Sequence, residues 1–273
     1  MREYANAKIN LGLDVVGERE DGYHLLDMVM VPLTLCDDID IEISEQDSFT
    51  SNTSLSWDRG NLMYKAVELM RDHYGLKEHF RITLNKRIPM QAGLAGGSAD
   101  CAAVMRSINK LCDLNRPLEE LMELGVRLGA DVPFCIYNKP ARVQGIGEII
   151  EPLEIRKHYH VLLVKPDEGV STAEVFRLLD SERHADIDAL VQRLREGREP
   201  KLENVLEDSA IKLLPEIEAV KNICLTFGYQ LTIMSGSGSC VFVLAEDVNS
   251  LTPVFSYFKN IYKFVMISEI CLF

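Results

Sequence analysis

One stretch of this chain constrains its fold more than any other: "PMQAGLAGGSADCAAVMRSIN", residues 89–109. Gly93, Gly96 and Gly97 lack a Cβ atom, so they can adopt positive φ and let another group touch the main chain. The alanine-rich residues that follow predict a helix beginning at about Ser98, with Ser98 as its N-cap. Unpaired N–H groups and the helix dipole at such a start favour an anion. The stretch therefore predicts a site for a di- or triphosphate.

Two better-known phosphate loops do not fit this order of residues. A Walker A loop requires a lysine directly after its last glycine, and none follows here. The Rossmann fingerprint G-x-G-x-x-G follows the first strand of its domain, whereas "GLAGGS" comes late in this chain. A plain glycine-rich turn leading into a helix is the remaining alternative.

The rest of the chain mixes strands and helices without regular β-α-β alternation. Residues 5–16 alternate as a strand, with apolar side chains on one face and Lys8 and Asn10 on the other. In the first half of the chain we expect an Asp21-Gly turn, a strand broken near Pro32 and Asp37, a helix between Gly60 and Gly75, and a strand with Phe80, Ile82 and Leu84 inward. After these we expect a helix from Pro117 to Gly129 and a helix opened by a Ser171–Glu174 capping box. Strands should lie on both sides of "SGSGS". This mixture favours an α+β fold with two domains, 1–155 and 156–273.

Composition narrows the class of ligand and partner. The formal net charge of −13 repels phosphodiester backbones, so we expect no nucleic-acid partner. No apolar run approaches the ~20 residues of a membrane helix, and the N-terminus lacks the apolar core of a signal peptide. The seven cysteines are scattered without a CxxC pair, which predicts reduced thiols in a cytoplasmic protein with no membrane partner.

Four segments, taken with their order, resemble the signatures of the GHMP kinases. They are "AKINLGLDVVGEREDGYHLLDMVM", "PMQAGLAGGSAD", "GADVPFCIYNKPARVQGIGE" and "MSGSGSCVFVL", which together span residues 5 to about 245. "AKINL", "DGYH" and "GADVPF" are specific to the branch that acts on 4-diphosphocytidyl-2-C-methyl-D-erythritol. Gly97 stands where the superfamily commonly has serine, but that branch is itself glycine-rich there.

The resemblance implies a fold and an activity. The fold would have an N-terminal lobe of the ribosomal protein S5 domain 2-like type and a C-terminal ferredoxin-like lobe. ATP, accompanied by Mg²⁺, would phosphorylate the tertiary 2-hydroxyl of the cytidyl substrate on the non-mevalonate route to isoprenoid precursors. We expect a small-molecule substrate, a monomer or weak homodimer, and no assigned protein ligand for the metal.

The resemblance also implies roles for individual residues. Asp131 would be the catalytic base and Lys8 its partner, because the acceptor hydroxyl must be oriented and lose its proton. We expect Pro133 to hold Val132 extended, so that a stiff turn displays Asp131. The residues implied in ATP binding are Pro89, Met90, Gln91, Ala92, Gly93, Leu94, Ala95, Gly96, Gly97, Ser98, Ala99 and Asn61. Those implied in substrate binding are Asn10, Tyr23, His24, Phe176, Ser237 and Gly238, with Tyr23 and Phe176 stacking on the base.

Blander interpretations stand beside these. Asp131 can be a turn residue, Lys8 a solvent-facing strand residue, Phe176 a core residue and Asn61 an N-cap. At the level of the whole protein, the rivals are another GHMP kinase, acting on homoserine or a mevalonate derivative, and a non-catalytic nucleotide sensor of the same fold. A nucleoside-stacking aromatic pair argues against the first rival, and the presence of both Lys8 and Asp131 argues against the second.

Overall fold

The structure is a computed structural model that describes residues 1–20, 22–180 and 182–272. The strands are β1 (Arg2–Glu18), β2 (His24–Ser44), β3 (Ser48–Ser51), β4 (His79–Asn85), β5 (Ala141–Gly145), β6 (Ile149–Pro152), β7 (His160–Lys165), β8 (Glu203–Asn204), β9 (Thr232–Met234), β10 (Val241–Ala245) and β11 (Phe264–Glu269). The helices are α1 (Leu62–Tyr74), α2 (Gly96–Leu111), α3 (Leu118–Gly125), α4 (Val132–Tyr137), α5 (Thr172–Arg177), α6 (Ile187–Arg195), α7 (Glu207–Leu213), α8 (Glu216–Thr226) and α9 (Thr252–Lys259). A 3-10 turn, Val248–Leu251, precedes α9.

This order of elements confirms the α+β class, because strands and helices follow no regular alternation. Among the described residues, no helix is long and apolar enough to cross a membrane. No disulfide links the seven cysteines, all of which lie within the described ranges.

The chain forms two compact units that interleave along the sequence. The first unit comprises Met1–Ala7, Leu35–Ile88 and Ala95–Asn138, and the second comprises Lys8–Thr34, Pro89–Leu94 and Lys139–Phe273. The division therefore falls inside β1, inside β2 and inside the glycine-rich stretch. The domain boundary expected near residue 155 stays a prediction.

The first unit contains paired strand segments and a group of helices that pack on one another. The C-terminal part of β2 pairs antiparallel with β4, and β4 pairs parallel with β3. Phe80, Ile82 and Leu84 are buried while their neighbours are exposed, which confirms the predicted alternation. Helix α1 packs against α2, and α4 packs against α2 and α3.

In the second unit, the four-stranded sheet has the order β11-β7-β10-β9, with antiparallel neighbours. In chain order these strands are the fourth, first, third and second, and helices connect the first to the second and the third to the fourth. That is the ferredoxin-like arrangement, as expected for the C-terminal part of the chain. Elsewhere in this unit, β5 pairs antiparallel with the N-terminal part of β2 and with β6, and β8 pairs parallel with β1.

The predicted break in β2 near Pro32 and Asp37 is wrong. Pro32 lacks only the N–H donor, and its carbonyl accepts a hydrogen bond from Cys271 N at 2.9 Å. Asp37 is fully buried, but its carboxylate accepts from the main-chain N–H groups of Arg87 and Ile88 at 2.5 and 2.8 Å. Both residues are thus satisfied within a continuous strand by partners that lie far along the chain.

Several helix and turn boundaries also differ from the prediction. Helix α3 ends at Gly125, and turn residues rather than helix lead to Gly129. Helix α5 has Ser171 at its N-cap position, but no side-chain hydrogen bond within the described residues closes the expected capping box. The turn between β1 and β2 forms as expected, with Arg19 N donating to Tyr23 O at 2.8 Å, although Asp21 lies outside the described residues.

Candidate active site

Lys8 lies in a stretch of β1 that is buried on both faces. The side chains of Lys8 and Asn10 are almost fully buried, so the solvent-facing interpretation of Lys8 is wrong. The Lys8 Nζ atom donates to the Asn10 Oδ1 atom at 2.7 Å, which confirms that the two side chains share one strand face. A buried ammonium needs such polar partners, because burial without them is costly.

The loop between β9 and β10 packs closely on this part of β1. Ser235 Oγ accepts from Asn10 N at 3.3 Å and donates to Gly93 O at 3.0 Å. A Cβ atom at Gly236 would lie 3.3 Å from Lys8 Nζ. The "SGSGS" segment is therefore held against the Lys8 strand and is more than a flexible turn.

A buried asparagine that sequence reasoning missed holds this loop. Asn204 Nδ2 donates to Met234 O at 2.9 Å and to Gly236 O at 2.8 Å, and Asn204 Oδ1 accepts from Leu206 N at 3.0 Å. No periodicity or motif in the sequence marks this residue. Ser237, which the resemblance assigns to substrate, shares a 2.8 Å hydrogen bond with Thr172 Oγ1.

The first half of the glycine-rich stretch is pinned by main-chain hydrogen bonds. Ala92 O accepts from Cys240 N at 3.2 Å, and Leu94 O accepts from Lys8 N at 3.1 Å. Gly93 has φ of +71°, and a Cβ atom there would lie 2.0 Å from the Ser235 carbonyl oxygen. Only glycine fits at this position, and the immediate reason is close approach by the protein's own main chain.

The second half of the stretch begins helix α2. The helix starts at Gly96, with Ala95 at the N-cap in the left-handed region, so the prediction that Ser98 is the N-cap is wrong. No side chain in the described part of the chain caps this helix start. A Cβ atom at Gly97 would meet nothing closer than Leu62 Cδ1, at 3.8 Å. An uncapped helix start beside an exposed glycine fits a phosphate group.

Beneath this helix start lies a buried ionic cluster that the sequence did not reveal. Lys86 Nζ lies 2.5 Å from Asp37 Oδ2 and 2.6 Å from Asp100 Oδ2, and all three side chains are at most 6% exposed. A Cβ atom at Gly96 would lie 2.9 Å from Lys86 Nζ, which explains why a glycine is needed there. The members come from β2, the segment after β4 and α2, so no local motif unites them.

The cluster has two carboxylates for one ammonium group, and this imbalance shifts the pKa values of Asp100 and Lys86. Burial, opposed by Lys86 and reinforced by Asp37, raises the pKa of Asp100 to about 7. Burial alone would lower the pKa of Lys86, but the carboxylates of Asp100 and Asp37 outweigh it and leave that pKa raised. Within the described residues, the Oδ1 atom of Asp100 has no hydrogen-bond partner.

Asp131 is the N-terminal flanking residue of the short helix α4. Its backbone is helical (φ −82°, ψ −12°), and its carbonyl accepts from Cys135 N at 3.0 Å. Val132 is the first helical residue, so the expectation that Pro133 keeps it extended is wrong. Proline is tolerated here because N–H groups in a first helical turn have no intrahelical partner. A helix start, rather than an extended turn, therefore displays the carboxylate.

Asn61 caps helix α1, as its sequence position predicted. Its Oδ1 atom accepts from Met63 N at 2.9 Å, and its Nδ2 atom donates to Ser56 O at 2.9 Å. Gly75 closes the other end of α1 in the left-handed conformation. The structural role of Asn61 is thus confirmed, and its contact with adenine stays a prediction.

Two aromatic rings meet beside a cavity of about 520 Å³ in the second unit. The His24 and Phe176 rings are stacked, with centroids 4.8 Å apart and planes 13° from parallel. Phe176 lines the cavity and is half-buried, whereas the side chain of Tyr23 is 60% exposed. The ring of His24 thus stacks on that of Phe176, and the part of Tyr23 in binding a base stays a prediction. In the described residues, no group of His, Cys, Asp and Glu side chains could hold a metal ion.

The chain belongs to the GHMP kinase family. The model of the GHMP kinases N terminal domain matches residues 61–139, and that of the GHMP kinases C terminal domain matches residues 175–262. The chain is 39% identical over 274 residues to the 4-diphosphocytidyl-2-C-methyl-D-erythritol kinase of Clostridium perfringens (strain 13 / Type A), which covers 97% of this chain and 95% of the relative. It is also 39% identical over 280 residues to the Bacillus subtilis (strain 168) kinase of the same name, with 98% and 97% covered.

A solved structure agrees with these relatives. A crystal structure of 4-(cytidine 5'-diphospho)-2C-methyl-D-erythritol kinase superposes with a TM-score of 0.85 at 33% identity, covering 99% of each chain. Within the GHMP kinases, this chain therefore groups with the 4-diphosphocytidyl-2-C-methyl-D-erythritol kinases, as its sequence signatures indicated.

Proposed function

We propose that this chain transfers the γ-phosphoryl group of ATP to the 2-hydroxyl of 4-diphosphocytidyl-2-C-methyl-D-erythritol, on the non-mevalonate route to isoprenoid precursors. The observation that carries this proposal is the 39% identity, over nearly the whole chain, to kinases named for that substrate. The two GHMP kinase family models also match this chain, over residues 61–139 and 175–262.

Residues 89–99 and Asn61 are proposed to hold ATP. The uncapped start of α2 supports this role, because its N–H groups and dipole suit a phosphate and Gly97 leaves the main chain accessible. The side chains of Ala92, Leu94 and Ala99 are buried, so any contact from these three would come from the main chain.

Lys8 and Asp131 are proposed as the catalytic pair. Asp131 would orient the acceptor hydroxyl and take its proton as the oxygen attacks the γ-phosphorus and ADP leaves. Lys8, positioned by Asn10 and by the loop at Gly236, would offset the negative charge that grows on the transferred group. The convergence of these two side chains stays a prediction.

The cavity beside His24 and Phe176 is proposed to take the cytidine. A flat ring stack at a cavity edge suits a base, and His24 adds a hydrogen-bonding group. The exposed ring of Tyr23, together with Asn10, Ser237 and Gly238, is proposed to complete the substrate contacts.

Mg²⁺ would accompany ATP and take phosphate oxygens and water as ligands. We further propose a cytoplasmic monomer or weak homodimer without nucleic-acid or membrane partners.

An acceptor panel tests the proposal. The chain is incubated with ATP and Mg²⁺ and, in separate reactions, with the cytidyl substrate, homoserine and mevalonate, and ADP release is measured. We expect turnover with the cytidyl substrate at least a hundredfold above that with the other two. Preference for an acceptor without a nucleotide would overturn the assignment, and ATP binding without transfer to any acceptor would support the sensor alternative.

A further inference from the structure

Part of the lining of the cavity beside His24 and Phe176 has no role in the function proposed above. Three residues that line the cavity are meant: Glu18 at the end of β1, Arg177 at the end of α5, and His184 on the segment that precedes α6. These three side chains are polar, so they differ in chemistry from the ring stack.

His184 is oriented by a buried carboxylate. Its Nδ1 atom lies 3.3 and 3.2 Å from the Oδ1 and Oδ2 atoms of Asp14, whose side chain is only 7% exposed. The main-chain N–H of Ala185 donates to Asp14 Oδ1 at 3.2 Å. A carboxylate can only accept, so Nδ1 carries the hydrogen of this pair. The other ring nitrogen, Nε2, is therefore the one that a ligand in the cavity can use.

The chemistry of Nε2 suits a hydroxyl group. A hydroxyl both donates and accepts, so it pairs with Nε2 in the neutral and in the protonated ring. The base of a nucleoside belongs with the stacked rings, and its ribose carries two hydroxyls a few ångströms away. Dinucleotide-binding folds use an acidic side chain for such hydroxyls, and Glu18 is an acidic residue that lines the same cavity.

We propose that His184, held by Asp14, binds a ribose hydroxyl of the cytidine portion of the substrate. This inference rests on the proposed function, because it assumes that the cavity receives a cytidine. The protein would then recognise the ribose as well as the base of the cytidine. Asp14 would act as a positioning residue for His184.

The test compares three ligands on several variants. Calorimetry measures the dissociation constants of cytidine diphosphate and of its 2'-deoxy and 3'-deoxy forms for the wild-type chain, His184→Ala and His184→Phe, which keeps a ring without nitrogens. We expect either variant to weaken cytidine diphosphate binding about three- to tenfold. The deoxy ligand that lacks the hydroxyl bound by His184 should bind the wild-type chain more weakly than cytidine diphosphate does, by a similar factor. In the two variants this deoxy ligand and cytidine diphosphate should bind equally well. His184→Gln, whose amide extends toward the Nε2 position, should recover part of the loss.

The matched control is His158→Ala. His158 is another half-exposed histidine of the second unit that lies beside a carboxylate, with Nε2 3.6 Å from Glu269 Oε2. The substitution His158→Ala should leave the dissociation constants of all three ligands unchanged. The proposal would be overturned if, for both deoxy ligands, the loss from the substitution multiplied the loss from the missing hydroxyl. It would also be overturned if His184→Ala and His184→Phe bound cytidine diphosphate as the wild-type chain does. Either result would leave His184 as a residue that only fixes its segment. A wild-type chain that fails in the acceptor panel rejects the proposed function instead, whatever the ribose result.

Discussion

Two buried lysines of this chain can be compared through the partners that the structure describes for each. Lys86, in the first unit, lies between the carboxylates of Asp37 and Asp100. Lys8, in the second unit, donates to the neutral amide of Asn10, and the main chain at Gly236 approaches it closely. The comparison teaches that burial of a lysine does not by itself mark a catalytic group, and that the partners of the lysine carry the information.

Each environment indicates a different use. A cation between two buried carboxylates is committed to them, and removing it leaves uncompensated charge in the interior. The ammonium of Lys8 lies beside an amide and a glycine-rich loop, so a phosphoryl group could become a further partner of it. We therefore expect substitutions near Lys86 to act on stability and substitutions at Lys8 to act on turnover.

The largest expected effect is that of Lys8→Met on catalysis. Loss of the ammonium should lower kcat on the order of 10³- to 10⁴-fold, because the charge that develops on the transferred phosphoryl group loses its partner. Loss of the hydrogen bond to the Asn10 oxygen should also lower the free energy of unfolding, by about 1–2 kcal/mol. Steady-state kinetics and urea unfolding measure the two quantities. An unchanged kcat would remove Lys8 from the mechanism.

The next effect is that of Lys86→Met on stability. Two buried carboxylates would then face each other without a cation, and the free energy of unfolding should fall by about 3–4 kcal/mol. The control is Lys110→Met in the same unit, an exposed lysine 3.3 Å from Glu3, which should cost less than about 1 kcal/mol. Equal losses in the two variants would mean that the Lys86 cluster contributes no more than a surface pair.

A smaller effect separates the two halves of the glycine-rich stretch. Gly93→Ala should lower the free energy of unfolding by about 2–3 kcal/mol, because its φ is positive and the Ser235 carbonyl occupies the space of the new methyl group. Gly97→Ala meets only ordinary contact distances and should change stability by less than about 0.5 kcal/mol. We expect Gly97→Ala to raise the KM for ATP instead. Equal destabilisation by both substitutions would contradict this distinction.

The smallest effect, counted per pH unit, is the pH dependence that Asp100 contributes. Its pKa is about 7 in the folded chain and near 3.8 in the unfolded chain. At a pH between these two values, the folded state therefore holds one more proton than the unfolded state. The stability this gives is complete below about pH 4 and is lost as the pH rises through about 7, at no more than about 1.4 kcal/mol per pH unit.

Asp100→Asn removes this titrating group and should flatten that slope. Urea unfolding of the wild-type chain and the variant at pH 5, 6, 7 and 8 gives the difference directly. A stability difference that does not change with pH would show that Asp100 keeps one protonation state over this range.

The elements with strong local signals were predictable from the sequence. Helix α1 has both caps in its sequence, Asn61 and Gly75, and its bounds were expected within a residue or two. Strand β4 shows clean alternation and a half-buried surface. In both cases the local signal and the tertiary environment agree, so a pattern within a few residues decides the structure.

The mistakes share one physical cause, which is that tertiary contacts override a local preference. Gly96 and Gly97 are poor helix formers, yet they open α2, where packing against Ile88 and Lys86 leaves space only for a glycine at 96. Asp37 reads as a strand breaker, but its partners lie about fifty residues away in sequence. Asn204 bonds to carbonyls that lie thirty or more residues further along the chain, and no local pattern could announce it.

The candidate site was predictable to a different extent. The order of four signatures pointed to the family and to Lys8, Asn10, His24 and Phe176, and the structure places the last two in ring contact. The Lys86 cluster and the Asp14–His184 pair were not foreseen, because each joins single polar residues from separate elements. Asp131 lies at a helix start rather than on the extended turn that was expected, and its catalytic role stays a prediction.

The most direct test of the central claim, that this chain is a kinase whose chemistry depends on Asp131, is a paired measurement on Asp131→Asn. Calorimetry measures ATP binding, and single-turnover kinetics measure phosphoryl transfer to the cytidyl substrate. The account predicts ATP binding within about twofold of wild type and transfer slowed by three or more orders of magnitude. Transfer at the wild-type rate, with ATP binding intact, would contradict it.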